Sequence, residues 1–472
     1  LEIQEVTDMT DEIADHAVVL GGSITGLLAA RVLADAYDRV TVVDRDELAP
    51  GATARRGAPQ GRHIHGLLAR GQQALEELFP GLVAELTRRG APAGDVLGDA
   101  RLLLGGHRLA RTDAGLVVLS VSRPLLEDRI RARVRALPGV RFAPPSDAVG
   151  LRCSPDRRRV TGARLLRRAD ASAEEVIDAS LVVDATGRGS RAPAWLETLG
   201  FGQPKVDRIR VDVGYVTRRY RLSSDALGGD IACVHGPTPD RPRGGALARL
   251  EDDIWILTLF GLLGDHPPKD RDGFDAFAAS LRFSDLQDAV GAAEPIDGPA
   301  AYRFQANVRR RYERMGRFPD GLLVMGDASC SFNPIYGQGM TVAALQALAL
   351  RDHLTPGTVP RSAHVLRALA RVIDDPWEMA IGADLSVPGV DGRRTPGRRI
   401  AGAYVRRLQA AAAHDPALAR AFMRVTGLVD RPDAILRPAI ALRALRPRRR
   451  ASGSAERRSH SVDRRSGVEA RS

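Results

Sequence analysis

The sequence predicts an α/β protein: a discontinuous Rossmann-like nucleotide-binding domain, an antiparallel-sheet substrate domain and a helical C-terminal layer. Three observations predict it. The chain opens with a strand, a glycine-rich loop and a helix in "HAVVLGGSITGLLAARVLADAYDRVTVVDRD", residues 16 to 46. Nearly three hundred residues later a second strand, loop and helix follow in "DGLLVMGDASCSFNPIYGQGMTVAALQALALRDHL", residues 320 to 354. Between them lie runs such as "RIRVDVGYVTRRYRL", "GGALARL" and "IWILTLFGLL", whose alternation suits antiparallel strands.

In the first unit, "AVVL" is a short apolar run fit for a buried parallel strand, and "ITGLLAARVLADA" carries apolar residues at helical spacing. The loop between them departs from GxGxxG: glycines are due at 21, 23 and 26, but position 23 is Ser23 and Gly22 stands one step earlier. Gly21 permits the tight turn, the middle position lets backbone approach a pyrophosphate, and Gly26 lets the helix pack closely on the sheet. Serine is the smallest replacement that has a side chain, and its hydroxyl can donate to a phosphate oxygen. The next strand, "RVTVVD", ends in Asp44, 18 residues after Gly26, about where an acid accepts ribose hydroxyls. The helix amino terminus supplies attraction for the pyrophosphate.

In the second unit, "LLVM" reads as a strand, Gly326 and Asp327 as a turn, and "GMTVAALQALALRDHL" as a long helix. The Gly337-Gln338-Gly339 loop leaves the first N–H groups of that helix free to face negative charge. Asp327 is placed to accept a sugar or ribityl hydroxyl, and Pro334 stiffens the approach.

"GDASCSFNPIYGQGM" resembles the GD motif, GDAAHxxxPxxGxGxN, of flavoprotein monooxygenases of the para-hydroxybenzoate hydroxylase type, and the amino-terminal loop resembles their GxGxxG. "ARRGAPQGRHIHGLL" (54 to 68) and "LVVDATGRGSRAPAWLETLG" (181 to 200) are similar to segments of the bacterial branch that includes the flavin epoxidases of polyether pathways. The resemblance covers about residues 13 to 430. It implies FAD, with Gly21, Gly22, Ser23, Gly26 and Asp44 at the ADP half. Asp327, Pro334, Gly337, Gly339 and Met340 fall at the flavin half. Arg55 matches the arginine that reaches FAD, and Arg123, in "SVSRPLLEDRIRARV", the arginine beside it. Two departures stand out. Asp184 is followed by Ala185-Thr186-Gly187 where the family has an Asp-Gly pair, which leaves two electron sources open, direct NAD(P)H or a separate flavin reductase. Met340-Thr341 replaces the final asparagine, so that flavin contact would be by backbone.

The resemblance further implies a monooxygenase that uses oxygen, inserting one atom from a flavin C4a-hydroperoxide into an apolar polyketide-like or aromatic small molecule of specialised metabolism. Epoxidation is favoured over phenol hydroxylation, and no catalytic acid or base is assigned. The alternative is a FAD-containing, non-redox cyclase acting on a polyene. Flavin halogenases need a lysine near the flavin, and the chain has only Lys205 and Lys269, outside any such motif.

Composition sets bounds. At 472 residues the chain is long enough for two or three packed units. Its net charge of +11 invites a nucleic-acid reading, but ten arginines against three acids between Arg443 and Ser472 put +7 into the tail. All but two of the 69 basic residues are arginine, the bias of a GC-rich coding sequence, so neither nucleic-acid binding nor membrane contact is expected. Cys153, Cys233 and Cys330 never form CxxC, and His63 and His65 lack further ligands, so no disulfide framework and no metal are expected. Cys330 reads as a small buried thiol, and Trp195, Trp255 and Trp377 as core. With no membrane-spanning run and no signal-peptide pattern, a soluble cytoplasmic protein is expected. Residues 13–75, 115–205 and 305–355 are expected to build the FAD-binding domain, and 76–114 and 206–304 the substrate domain, with "DGFDAFAASLRF" a helix capped by Asp272. Residues 356–437 are expected to be helical, 438–472 a disordered basic tail, and 1–12 an extension, because Met9 opens "MTDEIADHAVVL".

Overall fold

The structure, a computed structural model, describes residues 15–55, 57–170 and 174–446; the expected extension and the tail beyond 446 lie outside the described residues. Five short strands form a parallel sheet in the order Leu322–Val324, Leu181–Asp184, His16–Leu20, Arg39–Val43 and Val140–Phe142. Such strands are buried on both faces, which is why "AVVL" and "LVV" read as unbroken apolar runs. Helices Ile24–Leu33, Arg123–Arg135 and Gln338–Arg351 share their core, where Val18, Leu27, Ile130, Val182, Leu323 and Ala344 meet. The register pairs Leu20 with Val43 and with Asp184, and Asp184 with Val324. The loops that follow these four strands therefore leave from one edge, the carboxyl edge where such sheets bind ligands.

A second, eight-stranded sheet runs Cys330–Ser331, Ala300–Arg310, Val206–Arg221, Ile254–Gly261, Arg243–Arg249, Ala232–His235, Ala100–Leu104 and His107–Arg108. All its pairs are antiparallel except Ala232–His235 with Ala100–Leu104. The sheet crosses the expected division at 304, since Ala300–Arg310 continues the pairing and Cys330–Ser331 extends it. The expected substrate interval 76–114 is likewise split. Leu82 and Leu86, on helix Leu82–Arg88, bury in the core of the parallel sheet, whereas Ala100–Leu104 joins the second sheet.

Helix Arg271–Ala279 is capped by Asp270, not Asp272: the Asp270 carboxylate accepts the Gly273 N–H at 2.8 Å, and Asp272 falls inside the first turn. A cap must precede the helical residues, and the helix starts two residues earlier than a cap at Asp272 implies. Helices Ser362–Asp384, Pro396–Ala412 and Pro416–Thr426 form the C-terminal layer. Helix continues where the tail was expected to begin, at Pro438–Leu445; Ala444 is fully buried and Arg443 pairs with Asp415. The arginine count masks the apolar pattern of "PAIALRAL", whose buried alanine earns the ordering. No helix among the described residues is long and apolar enough to cross a membrane.

Candidate active site

The first loop shows what each glycine is for. Gly21 has φ +103°, and a Cβ there would stand 2.5 Å from the Ala185 carbonyl oxygen. At Gly26 a Cβ would lie 1.7 Å from the Gly21 oxygen, so only glycine lets the helix start this close to the strand end. The Gly22 N–H donates to Asp44 Oδ2 at 2.6 Å, which ties the loop to the end of the second strand. Asp44 Oδ1 accepts the Asp46 N–H at 2.8 Å, and a carboxylate has about four lone-pair sites, leaving capacity for a further donor.

Ser23 departs from expectation. Its hydroxyl, expected to face a phosphate, donates to Glu127 Oε2 at 2.9 Å and accepts from Arg123 Nη2 at 3.0 Å. Glu127, buried one helical turn after Arg123, also takes Arg55 Nη2 on Oε1 at 2.5 Å. Burial pushes the Glu127 carboxyl up, but Arg123 and Arg55 outweigh it and hold it below the usual carboxylate range. Two arginines thus face the ADP end of the expected site with one buried carboxylate between them.

The second loop is built by a tight turn. Gly326 has φ +60°, its N–H donates to Gln346 Oε1 at 2.8 Å, and Asp327 follows. Burial pushes the Asp327 carboxyl up, with Arg188, Arg123 and Arg310 opposing. No described residue donates a hydrogen bond to it, so an acceptor faces the cavity free. Gly337, at φ +65°, precedes helix Gln338–Arg351; a Cβ on Gly339 would meet nothing within 4 Å, and Gln338 Oε1 is buried without a partner. Pro334 opens the turn Pro334–Tyr336, and Met340 is buried in the first helical turn. A free acceptor, an orphaned amide oxygen and an uncapped helix start are what the flavin half of FAD requires, so the residues present fit the group.

The loop itself is fastened by Asp384, at the end of helix Ser362–Asp384. Its buried carboxylate accepts from Asn307 Nδ2 (2.6 Å), Asn333 Nδ2 (2.8 Å) and Tyr336 OH (2.7 Å). In the DATGRGS segment, Asp184 is fully buried and turned inward, accepting from the Thr186 N–H (2.9 Å), Thr186 Oγ1 (2.6 Å) and Ser190 Oγ (2.5 Å). Burial raises its pKa, against the Ser190 and Thr186 donors. Arg188 lies over the rings of Tyr302 (5.1 Å) and Phe304 (5.5 Å), a cation–π arrangement in the cavity wall. Burial lowers His63 to about 4 and His65 to about 3, so both rings are neutral at neutral pH; His63 Nδ1 bonds Thr217 Oγ1 at 2.8 Å.

All twelve residues singled out for the cofactor except Gly22 and Gly26 line one cavity of about 2430 Å³. Gly22 and Gly26 sit behind it, holding loop to sheet. Away from the loops its wall carries an apolar stretch with Leu102, Val118, Ile256, Phe260, Phe422 and Met423, beside charged residues such as Arg219, Asp297 and Glu378. Trp195 is buried and reaches this wall, while Trp255, Trp377 and Cys330 are buried away from it. Lys205 and Lys269 are both exposed and line no part of it. Sequence reasoning passed over Glu127, Arg188 and Asp384. The four-residue step from Arg123 could have found the first, and the quoted DATGRGS contains the second; no local pattern marks the third.

A parallel sheet with two glycine-bearing loops at one edge, joined to a mainly antiparallel sheet over a shared cavity, is the fold of FAD-dependent monooxygenases. The likeness extends to solved structures: a flavoprotein/dehydrogenase of Cytophaga hutchinsonii has TM-score 0.64 at 12% identity, covering 90% of this chain and 96% of that one. The flavin-dependent brominase Bmp2 gives 0.60 at 14% (87% and 93%), and the Diels-Alderase PyrE3 of the pyrroindomycin pathway 0.56 at 17% (88% and 81%). At such identities the likeness is one of fold. No protein-family model matches the chain. The chain belongs to the flavin-dependent monooxygenase and hydroxylase family. It is 37% identical to Protein Rv3254 of Mycobacterium tuberculosis, over 88% of its own length and 90% of that protein's. Ubiquinone hydroxylase UbiL of Rhodospirillum rubrum (27%, 74% of each chain) and kynurenine 3-monooxygenase of Salinispora arenicola (27%, 72% of each) are more distant. The protein is an oxidoreductase, and its family implies FAD.

Proposed function

We propose that this enzyme holds FAD across the two loops and inserts one oxygen atom into a large apolar substrate, an electron-rich alkene in preference to an aromatic ring. The observation that carries the reading is the continuity of the cavity. Its volume of about 2430 Å³ runs from Asp44 and Asp327 to the wall at Ile256 and Phe422. A site for one drug-sized ligand measures about 300–1,000 Å³, so this one takes a cofactor and an extended substrate together.

Reduced FAD supplies the oxygen activation, with electrons from NAD(P)H directly or through a separate flavin reductase. The chain supplies binding, placement and dryness. Arg55 and Arg123, both ion-paired with buried Glu127, set guanidinium groups at the ADP end, Asp327 offers its acceptor to a hydroxyl, and the free N–H groups of Gln338–Arg351 face negative charge. Leu102, Phe260 and Met423 place hydrocarbon and exclude water. A second reading, a FAD-containing cyclase acting on a polyene without net oxidation, is favoured by Asp184, whose carboxylate is closed by Thr186 and Ser190.

Reconstitution with FAD, reduction by NADPH without oxygen, then exposure to isotopically labelled oxygen with a panel of apolar polyenes and aromatics tests both. A product heavier by one labelled oxygen is expected. An isomer of unchanged mass transfers the case to the cyclase, and acid release of FMN, or no flavin, refutes both.

A further inference from the structure

Four large hydrophobic side chains stand in solvent at the C-terminal end: Ile400 (71% exposed), Leu436 (60%), Leu442 (66%) and Leu445 (57%). Ile400 lies on helix Pro396–Ala412, Leu436 ends the turn Pro432–Leu436, and the other two lie on helix Pro438–Leu445. These elements pack together: the Tyr404 hydroxyl donates to the Ile435 carbonyl, and Arg407 Nη2 to the Arg446 carbonyl at 2.8 Å. Ile400, Leu436 and Leu445 are also part of the cavity wall. Side chains that are both exposed and cavity-lining mark its mouth. Isolated surface leucines need no explanation, whereas a group at the entrance to an apolar cavity does.

Charge singles out the same region. From Arg393 to Ser472 twenty arginines stand against six acids, a net +14 that exceeds the +11 of the whole chain, so residues 1–392 are net negative. In the described stretch Arg393–Arg446, twelve arginines face three aspartates. Arg399 and Arg406 are exposed on the helix that carries Ile400, and neither has an ion-pair partner among the described residues. Apolar side chains beside arginines, on helices too short and polar to span, form the pattern of a surface-bound amphipathic element.

We propose that the C-terminal helices dock on the surface of an anionic lipid bilayer, with Ile400, Leu436, Leu442 and Leu445 in the interface and the arginines on headgroup phosphates. The cavity mouth then opens onto hydrocarbon, a source from which an apolar substrate enters without crossing water; that last step rests on the function proposed above, and the docking does not. Guanidinium groups suit this role because they bind phosphate oxygens in pairs while their stems lie along apolar surface. The expectation of no membrane contact weighed only the tail charge; folding adds the exposed apolar group beside it.

Co-sedimentation of the full chain with vesicles of phosphatidylglycerol and phosphatidylcholine, and of phosphatidylcholine alone, tests the docking. The full chain should bind the anionic vesicles, and Ile400→Ser/Leu442→Ser/Leu445→Ser should lower the partition coefficient about 100-fold or more, with circular dichroism and melting unchanged because the three sites are exposed. Arg399→Glu/Arg406→Glu should lower it about tenfold or more. Binding to both vesicle types alike, no binding to either, or undiminished binding of the triple variant overturns the proposal. So does a concentration-dependent dimer that the triple variant abolishes, since the patch is then an interface between two copies. A failed oxygenation assay leaves the vesicle result standing, so the two readings fail separately.

Discussion

Replacing Asp384 by alanine is expected to loosen the loop that carries the flavin half of the proposed site. The carboxylate is fully buried and accepts from Asn307, Asn333 and Tyr336 at 2.6–2.8 Å. Alanine strands three donors, and at about 2 kcal/mol for each buried unsatisfied group the gross cost is about 6 kcal/mol. A counter-effect operates at neutral pH. Burial pushes the Asp384 carboxyl from 3.8 to about 6 against the opposing donors of Tyr336, Asn333 and Asn307, so keeping it ionised costs about 3 kcal/mol, which alanine relieves. The stranded donors win, and a net loss of about 3 kcal/mol is expected in urea unfolding at pH 7. A variant as stable as the parent refutes the reasoning. The pH dependence supplies a second arm. Because the folded pKa is raised, the native state holds the proton more tightly; the group's stabilisation is full below about pH 4 and is lost as pH rises through about 6. Asp384→Asn cannot ionise, so the parent should lose about 3 kcal/mol relative to it between pH 4 and 7, and a constant difference counts against the assignment.

Asp327→Ala should shed flavin, read from the absorbance ratio, while the apoprotein melts as before, because its carboxylate accepts no hydrogen bond from the described residues. Asp184→Ala should instead lower the melting temperature, having freed Thr186 and Ser190; equal flavin retention in the two variants contradicts the placement of the flavin half. Gly26→Ala sets a methyl 1.7 Å from the Gly21 oxygen and should cost about 1–3 kcal/mol together with flavin affinity; a neutral result in both refutes the close-packing role. Truncation after Arg446 should leave folding and flavin content unchanged, whereas truncation after Arg443 removes buried Ala444 and should lower the melting temperature.

The elements that a short window of sequence could specify are the ones recognisable before folding. Strand, turn and helix at 16–33 and at 322–351 follow from apolar period and from glycines whose neighbours forbid a Cβ, and Asp44 follows from the length of one helix and one strand. These are constraints of backbone sterics and burial, expressed within a few residues of where they act. Glu127 between Arg55 and Arg123, and Asp384 under Asn333 and Tyr336, are of another kind: the first bridges 72 residues of chain and the second 51. The split of 76–114 between two sheets, and the helix at Pro438–Leu445, likewise depend on partners distant in the chain. A buried carboxylate is stable only where the fold assembles donors around it, and no local pattern records which distant donors those are.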